Sequence, residues 1–585
     1  MQKPRTKSEN GRKAAVKTVP AAAVSGGGPG PWHYALALAA ALLAALLAYE
    51  PALGGPFVLD DLNLPFTGEE YAQLPFIAWI RGLRPLLMLS FWVNYQLSGM
   101  QPLSYHFVNL LLHIATGGFA FLIVRKLLAR AGESGFKRDA LAAFAGGLFL
   151  LHPIQTESVA YVASRSEVLS VFFLYAAFAW FLYRRSEAIS WLESVAILAL
   201  FAAAASTKEH TVVLIPLLLL TDYYWNPGFS FRGIRKNWKL YGLIGAGAVL
   251  ALRMVWHVLR AADTAGFSIK EFTWHQYFFT QCRAIWLYIR LFALPYGQNI
   301  DHDFPISRTL FEHGAIVALA ALVALAAAAV YYRRRFPLAS YGFLAFLLLL
   351  APTSSFVPIM DPVAERRLYL PFIGLLLVAV EALRRWKIGR GTLVAALAAT
   401  LVFASFLTYN RSLLWSSDLA LWQDSVAKSP LKSRPQFQLA FAYFVRGRCD
   451  LALPHYEAAG IRGSNDYRLL VDWALDYSCL GRHEEGIAKL RQAGSLRNTA
   501  QVHSLIGMIY TKEGKWAEAR QALDLAEKID PAFDITYTYR GDLYAAEGDL
   551  NAAVAEYRRS LALNPGSEAA QQGLAAVQQR LAKVR

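Results

Sequence analysis

The chain has 585 residues, of which 56% are hydrophobic and 17% charged, and its net charge is +16. Soluble domains carry roughly 25% charged residues, so this balance excludes a string of ordinary soluble domains. The positive excess fits cytoplasmic loops and anionic lipid surfaces, and no basic helix with interleaved aromatics points to nucleic acid. The three cysteines, Cys282, Cys449 and Cys479, form no CxxC pair, which argues against a zinc or thioredoxin-like motif.

In chain order, Lys3, Arg5, Lys7, Arg12, Lys13 and Lys17 mark residues 1–30 as a disordered basic tail on the cytoplasmic side. The apolar run from Tyr34 to Tyr49 is expected to be a retained first span, because its polar lead is long for a cleaved signal peptide. Further spans are expected near 104–124, 138–152, 167–183, 190–206, 210–225, 240–259, 311–332, 337–352, 368–383 and 391–408, about eleven in all. Basic clusters at 125–138, 184–185, 232–239, 333–335 and 384–390 orient them, with the N-terminus inside and the C-terminal part outside. The alternation requires the stretch 260–310 to begin and end outside. Its apolar segment Trp274 to Leu294 is interrupted by Gln281, Arg283 and Arg290, and is expected to be re-entrant or to lie on the membrane surface.

Beyond about residue 410 charge returns to the density of soluble protein, and a repeat appears. Gly507, Tyr510, Gly514, Ala519, Ala526 and Pro531 recur 34 residues later as Gly541, Tyr544, Gly548, Ala553, Ser560 and Pro565. That is the tetratricopeptide period: small residues let two helices approach, an aromatic fills the gap and proline ends the second helix. Weaker copies around Ala440 and Ala474 bring the count to about four, with a polar capping helix from Ser567 to Val584. In this frame Cys449 and Cys479 fall at the same end of neighbouring helices. They could form a disulfide in an oxidising compartment, or remain two buried thiols.

The outer loops carry the chemistry. Asp60 and Asp61 follow the first span, where a carboxylate pair could act as base or metal ligand beside a lipid-borne substrate, or could simply be a solvated turn. His152, Glu157 and Arg165 lie in the second outer loop, and Lys208, Arg366 and Arg367 are further cations at outer membrane depth. Charge there is costly unless paired or functional. Arg suits bidentate phosphate binding and Lys supplies a point charge, although snorkelling to headgroups is the plain alternative.

Several segments, taken in order, resemble one family. They are Phe57-Val58-Leu59-Asp60-Asp61, Arg84-Pro85-Leu86 through Asn94-Tyr95, Tyr105 to His113, and His152-Pro153-Ile154-Gln155-Thr156-Glu157. Thr207-Lys208-Glu209, Ala351 to Ser355 and Glu365-Arg366-Arg367-Leu368-Tyr369-Leu370-Pro371 follow. The series is similar to the transmembrane and tetratricopeptide-repeat-containing O-mannosyltransferases and their bacterial relatives.

The resemblance implies an all-α chain. A polytopic GT-C-like helix bundle over 31–410 would be followed by a soluble tetratricopeptide superhelix over 411–585. It also implies an inverting glycosyltransferase in the bacterial inner membrane, with its repeats in the periplasm. The expected donor is a polyprenyl-phosphate-linked sugar, and the expected acceptor a Ser or Thr hydroxyl of a protein or peptide held by the repeats. No tightly bound cofactor is expected, and a divalent cation is allowed but not required. Asp60 or Asp61 would be the base, and Lys208, Arg366, Arg367 and Arg165 would hold the donor phosphate. His152, Glu157, Glu209, Arg84 and Tyr369 would support them. Two readings compete: a transferase acting on a lipid or glycan, and a non-enzymatic platform whose repeats recruit partners.

Overall fold

The computed structural model describes residues 31–68, 74–261, 265–463 and 465–584. The expected basic tail, 1–30, lies outside these residues. The described residues are helical, apart from connecting loops and one isolated antiparallel bridge between Ala265 and Ile359.

Each expected span falls on a helix. Pro31–Leu53, Pro102–Arg130, Gly135–Leu151, Arg165–Leu182, Trp191–Ala205 and Leu214–Trp225 form the first part. Trp238–Ala261, Ala315–Tyr331, Pro337–Leu350, Phe372–Arg385 and Arg390–Leu414 form the rest. Proline at the first position of Pro102–Arg130 and Pro337–Leu350 fits its missing N–H and fixed φ. Among the described residues five segments are long and apolar enough to cross a membrane: Tyr34–Leu53, Pro102–Arg130, Val162–Leu182, Glu312–Tyr331 and Arg390–Leu414. Trp191–Ala205 and Pro337–Leu350 are apolar but shorter. The chain is an integral membrane protein.

Helices such as Gly135–Leu151 and Phe372–Arg385 are covered by protein rather than lipid. Phe149, Leu376 and Val380 lie in a single apolar core shared by most of the bundle. Glycines allow the closest approach: a Cβ on Gly342 or Gly374 would come within 2.5 Å of the other's carbonyl oxygen. Backbones that touch in this way replace the hydrophobic drive that lipid does not supply.

The helices carry the loops to two opposite ends. Helix Pro102–Arg130 runs from one end to a basic end, where Arg125 and Arg138 pair with Asp139 and Arg184 pairs with Asp222. Glu381 receives Arg384 and Arg385 there as well. The loops at 54–68, 152–164, 206–213, 295–311 and 351–371 gather at the other end. Helix Trp274–Ala293 begins with a Thr273/Gln276 capping box. Tyr277 near its start donates to the Thr353 carbonyl, and the Phe292 carbonyl near its end meets His152 Nε2 at 2.9 Å. Both ends therefore touch loops of the same end of the bundle.

Helix Asp418–Lys428 leads from the last bundle helix into the repeats. Four helix pairs then stack: Ser433–Phe444 with Cys449–Gly463, Tyr467–Cys479 with His483–Leu496, Ala500–Lys512 with Trp516–Ile529, and Asp534–Glu547 with Leu550–Leu563. Helix Glu568–Val584 closes the stack. Each pair turns on a glycine with positive φ, namely Gly447, Gly481, Gly514 and Gly548. Gly541 is small because a Cβ there would lie 2.7 Å from the Tyr557 ring.

Cys449 and Cys479 are joined as a disulfide, with Cα atoms 6.3 Å apart and a sequence separation of 30. Closing a loop of that size should stabilise the repeats by about 3–4 kcal/mol in the chain-entropy account. Replacing Cys479 with Ser should lower the urea midpoint of repeat unfolding in the detergent-solubilised chain accordingly. An unchanged midpoint would show that the bond contributes nothing.

Helix Tyr467–Cys479 also buries Asp476, whose two carboxylate oxygens find no hydrogen-bond partner among the described residues. Burial pushes its pKa up to about 7, with Asp450 adding to the rise. The folded state therefore binds this proton more tightly than the unfolded chain. The contribution of this group to stability is fully present below about pH 4 and is lost as pH rises through about 7. Asp476→Asn should raise the melting temperature of the repeats at pH 8 and progressively less as pH falls toward about 4. A stability profile rising with pH in the parent chain would contradict the assignment.

Candidate active site

At the end of the bundle opposite the Arg125 and Arg384 cluster, residues Leu59–Asn63 form a short 3-10 turn soon after helix Pro31–Leu53. Asp60 is exposed on it, and its backbone N–H donates to the Tyr161 hydroxyl at 2.9 Å. Asp61 points inward. Its carboxylate accepts from the N–H of Val58 at 3.1 Å and of Ala163 at 2.6 Å, which ties the loop at 54–68 to the loop at 152–164. Burial raises the Asp61 pKa to about 7, against the backbone donors that lower it. The two aspartates thus separate into an open carboxylate and a buried structural one.

Tyr161 links the acidic side to the cationic side. Its ring lies 5.7 Å from the Arg366 guanidinium. Burial, with Asp60 and Asp61 alongside, pushes its hydroxyl above the ordinary range, so it stays protonated. Arg366 binds Glu157 twice, through Nη1 at 2.6 Å and through its backbone N–H at 3.2 Å. Burial raises the Glu157 pKa while Arg366 pulls it down.

Two further pairs lie alongside. Lys208 Nζ bonds Glu167 and reaches Ser166 Oγ at 3.4 Å. Arg84 grips Glu209 with two bonds of 2.9 Å. Lys208 feels the charges of both Arg84 and Arg366, which places the pairs in one electrostatic neighbourhood, and burial lowers its pKa. In every pair the acid is the deeper partner: Glu157 is 1% exposed under Arg366 at 26%, Glu167 5% under Lys208 at 17%, and Glu209 14% under Arg84 at 37%. The carboxylates anchor the cations from below, and the cations face outward.

The structure brings Asp60, Asp61, Glu157 and Arg366 together around Tyr161, with Lys208, Glu209 and Arg84 next to them. It places other expected residues elsewhere. Arg165 is fully buried, where it donates to Asn109 and Asn94 side chains and to the Tyr105 carbonyl at 2.8–2.9 Å, over the Phe91 ring. These neutral acceptors use it as an internal brace, which corrects its expected phosphate-binding role. Arg367 is likewise turned inward, donating to the carbonyls of Pro362 and Asp361 and to Tyr277. His152 uses both ring nitrogens, one on the Phe292 carbonyl and one accepting from Ile154 N–H, so it does not orient the acidic pair. Tyr369 is buried against His113 Nδ1 at 2.9 Å.

Some participants went unrecognised in the sequence. Glu167 lies one loop beyond Glu157, and His210 follows Lys208-Glu209 directly. His210 Nε2 sits 3.4 Å from Glu167, burial lowers its pKa to about 4, and its ring nitrogens form no hydrogen bond among the described residues. Glu365 is held by Asn299 N–H at 2.6 Å, His302 at 2.9 Å and Gln298 at 3.1 Å. Asp301, in the same segment, is gripped by Lys432 and by two bonds of 2.6 Å from Arg434. The first repeat is thereby clamped to the loop that carries Arg366. Among the described residues no three acidic, His or Cys side chains converge to hold a metal ion.

Residues 500–533 and 536–567 match the tetratricopeptide repeat family. The chain is 26% identical over 427 residues to protein O-mannosyl-transferase F38B6.6 of Caenorhabditis elegans, covering 67% of this chain and 58% of that protein. It is 25% identical over 504 residues to the human protein O-mannosyl-transferase TMTC1, covering 72% and 54% respectively. A shorter stretch of 154 residues is 33% identical to human TMTC3, covering 26% and 16%. The chain spans about half the length of the first two of these relatives. Its relatives by sequence are protein O-mannosyl-transferases, and its C-terminal part carries tetratricopeptide repeats.

Proposed function

We propose that this chain is a membrane glycosyltransferase that moves a sugar from a polyprenyl-phosphate donor to a Ser or Thr hydroxyl of a protein, on the extracytoplasmic face. The observation that carries this reading is the exposed Asp60 beside Tyr161 and the Glu157-anchored Arg366, at the bundle end that also bears the repeats. The printed names of the relatives make mannose the first sugar to try.

The parts assign a single displacement. Asp60 takes the proton of the acceptor hydroxyl as its oxygen attacks the anomeric carbon. The bond from that carbon to the phosphate oxygen breaks on the opposite side, and the sugar inverts. The departing polyprenyl phosphate gains negative charge, which Arg366, Lys208 and Arg84 stabilise from positions already fixed by their carboxylates. Fixed cations need no reorganisation during the reaction, which is why their anchoring acids matter. Asp61 acts through loop geometry instead of through the reacting atoms.

Purified chain in liposomes with polyprenyl-phosphate mannose and a Ser/Thr-rich peptide tests the reading. Asp60→Asn should lower turnover at least about a hundredfold with the fold intact, as expected when a general base is lost. Wild-type turnover in that variant would overturn the mechanism. Transfer to a lipid or glycan with none to protein would overturn the acceptor assignment.

The phosphate role has its own test. Arg366→Gln should weaken donor binding by about 10–100-fold, in line with the loss of a charge-assisted hydrogen bond, whereas Arg367→Gln at equal folded yield should leave donor KM unchanged. Equal effects of the two on donor KM would contradict the assignment.

A further inference from the structure

A cavity of about 730 Å³ opens where the outer loops of the bundle meet the second repeat. Glu271 and Met360 line it from the membrane part, and Arg462, Tyr467, Arg468 and Arg497 from the repeats. It lies apart from the Asp60 and Arg366 cluster, and no part of the reaction above uses it.

Among the described residues its three guanidinium groups make only long ion pairs or ring contacts. Arg497 lies 5.6 Å from the Tyr467 ring. The hydroxyl of that tyrosine is fixed by Thr499 at 2.8 Å and Gln501 at 3.0 Å. Arg468 lies over the Phe437 ring at 5.8 Å and reaches Asp472 only at 4.0 Å. Arg462 reaches Asp303 only at 3.8 Å. A guanidinium on an aromatic face keeps its edge N–H groups free for a carboxylate fork.

Two acids, Asp466 and Glu271, also line the cavity against its three guanidinium groups, and both accept from backbone. Asp466 caps its helix by accepting from the N–H groups of Arg468 at 2.9 Å and Leu469 at 3.3 Å. Glu271 accepts from Lys270 N–H at 3.1 Å.

The position of the cavity relates it to the site. Met360 and Arg366 belong to one loop, six residues apart in sequence. Six residues of extended chain span at most about 20 Å, so Met360 and Arg366 lie within that distance of each other. Asp361, between them, is pinned by Arg434 of the first repeat at 2.7 Å, which fixes this part of the loop against the repeats.

We propose that this cavity is an acceptor subsite for a carboxylate-bearing peptide segment, engaging an Asp or Glu about six residues from the hydroxyl that receives the sugar. The inference rests on the glycosyltransferase reading and deepens it by naming a feature of the acceptor. Guanidinium groups that are partly solvent-exposed give a moderate, salt-sensitive preference.

The test uses the full chain in detergent and two fluorescein-labelled Thr peptides. One carries Asp-Asp-Glu about six residues from the Thr, and the other carries Asn-Asn-Gln in its place. The acidic peptide should bind at least about fivefold more tightly at low salt, consistent with a few partly exposed ion pairs. The double variant Arg462→Gln/Arg497→Gln should abolish that preference while leaving the amide peptide's affinity unchanged, and in transfer assays should raise KM for the acidic peptide without lowering kcat. Intact disulfide and unchanged helicity in this variant exclude misfolding. Equal binding of the two peptides, or a preference that survives in the variant, would overturn the proposal. Displacement of the acidic peptide by inorganic phosphate or phosphatidylglycerol vesicles at equal concentration of anionic groups would also overturn the peptide assignment. A preference for the acidic peptide without sugar transfer from any donor would leave the subsite standing and bring down the glycosyltransferase reading.

Discussion

Three carboxylates sit beneath three cations at one rim of the bundle, and this end is organised around these pairs. A buried acid without its partner would cost several kcal/mol, so each pair holds both of its segments in place. Glu157 fixes the loop bearing Arg366 to the loop after helix Gly135–Leu151, Glu167 fixes Lys208, and Glu209 fixes Arg84. Segments far apart in sequence are thus brought to one surface by charge pairing that the apolar core could not specify. Because the acids are the deeper partners, the surface left facing outward is cationic. Asp60 and Tyr161 border it on the side of the first loop.

The repeats are part of the same arrangement. Asp301 receives Lys432 and Arg434, while the neighbouring Asn299 bonds Ser425 and Ser429 on one side and Glu365 on the other. Glu365 immediately precedes Arg366. Hydrogen bonds therefore run without a gap from the first repeat to the residue that carries the central cation. Trp415, Trp422 and Leu439 close an apolar patch against Ala160, Tyr161 and Ile300 at the same junction. A domain fixed this firmly presents its surface to the site at a defined height and angle.

Much of this was legible in the sequence. Apolar run length and the repeat period placed the helices, since both reflect local chain properties. Asp60, Glu157, Lys208 and Arg366 were also visible, as charges that an apolar setting does not tolerate without a role. The sequence could not distinguish Arg366, which faces outward, from Arg367, which turns to the carbonyls of Pro362 and Asp361. Adjacent arginines differ here only in the direction the turn gives them. Arg165 misled for a related reason: its acceptors are neutral Asn side chains and a carbonyl from other helices, which no charge pattern reveals. Tyr161 and Asp301 act through partners more than a hundred residues away, and long-range pairing leaves no local signature.

The account stands or falls on where the donor phosphate sits. A cryo-electron microscopy map of the chain in lipid nanodiscs, bound to a non-transferable polyprenyl phosphonate sugar, would show this directly. The account predicts phosphonate oxygens within about 4 Å of the Arg366 guanidinium and near Lys208, the range of a direct ion pair, with the anomeric carbon facing Asp60. Density for the phosphonate at the opposite, Arg125 and Arg384 end of the bundle would contradict it.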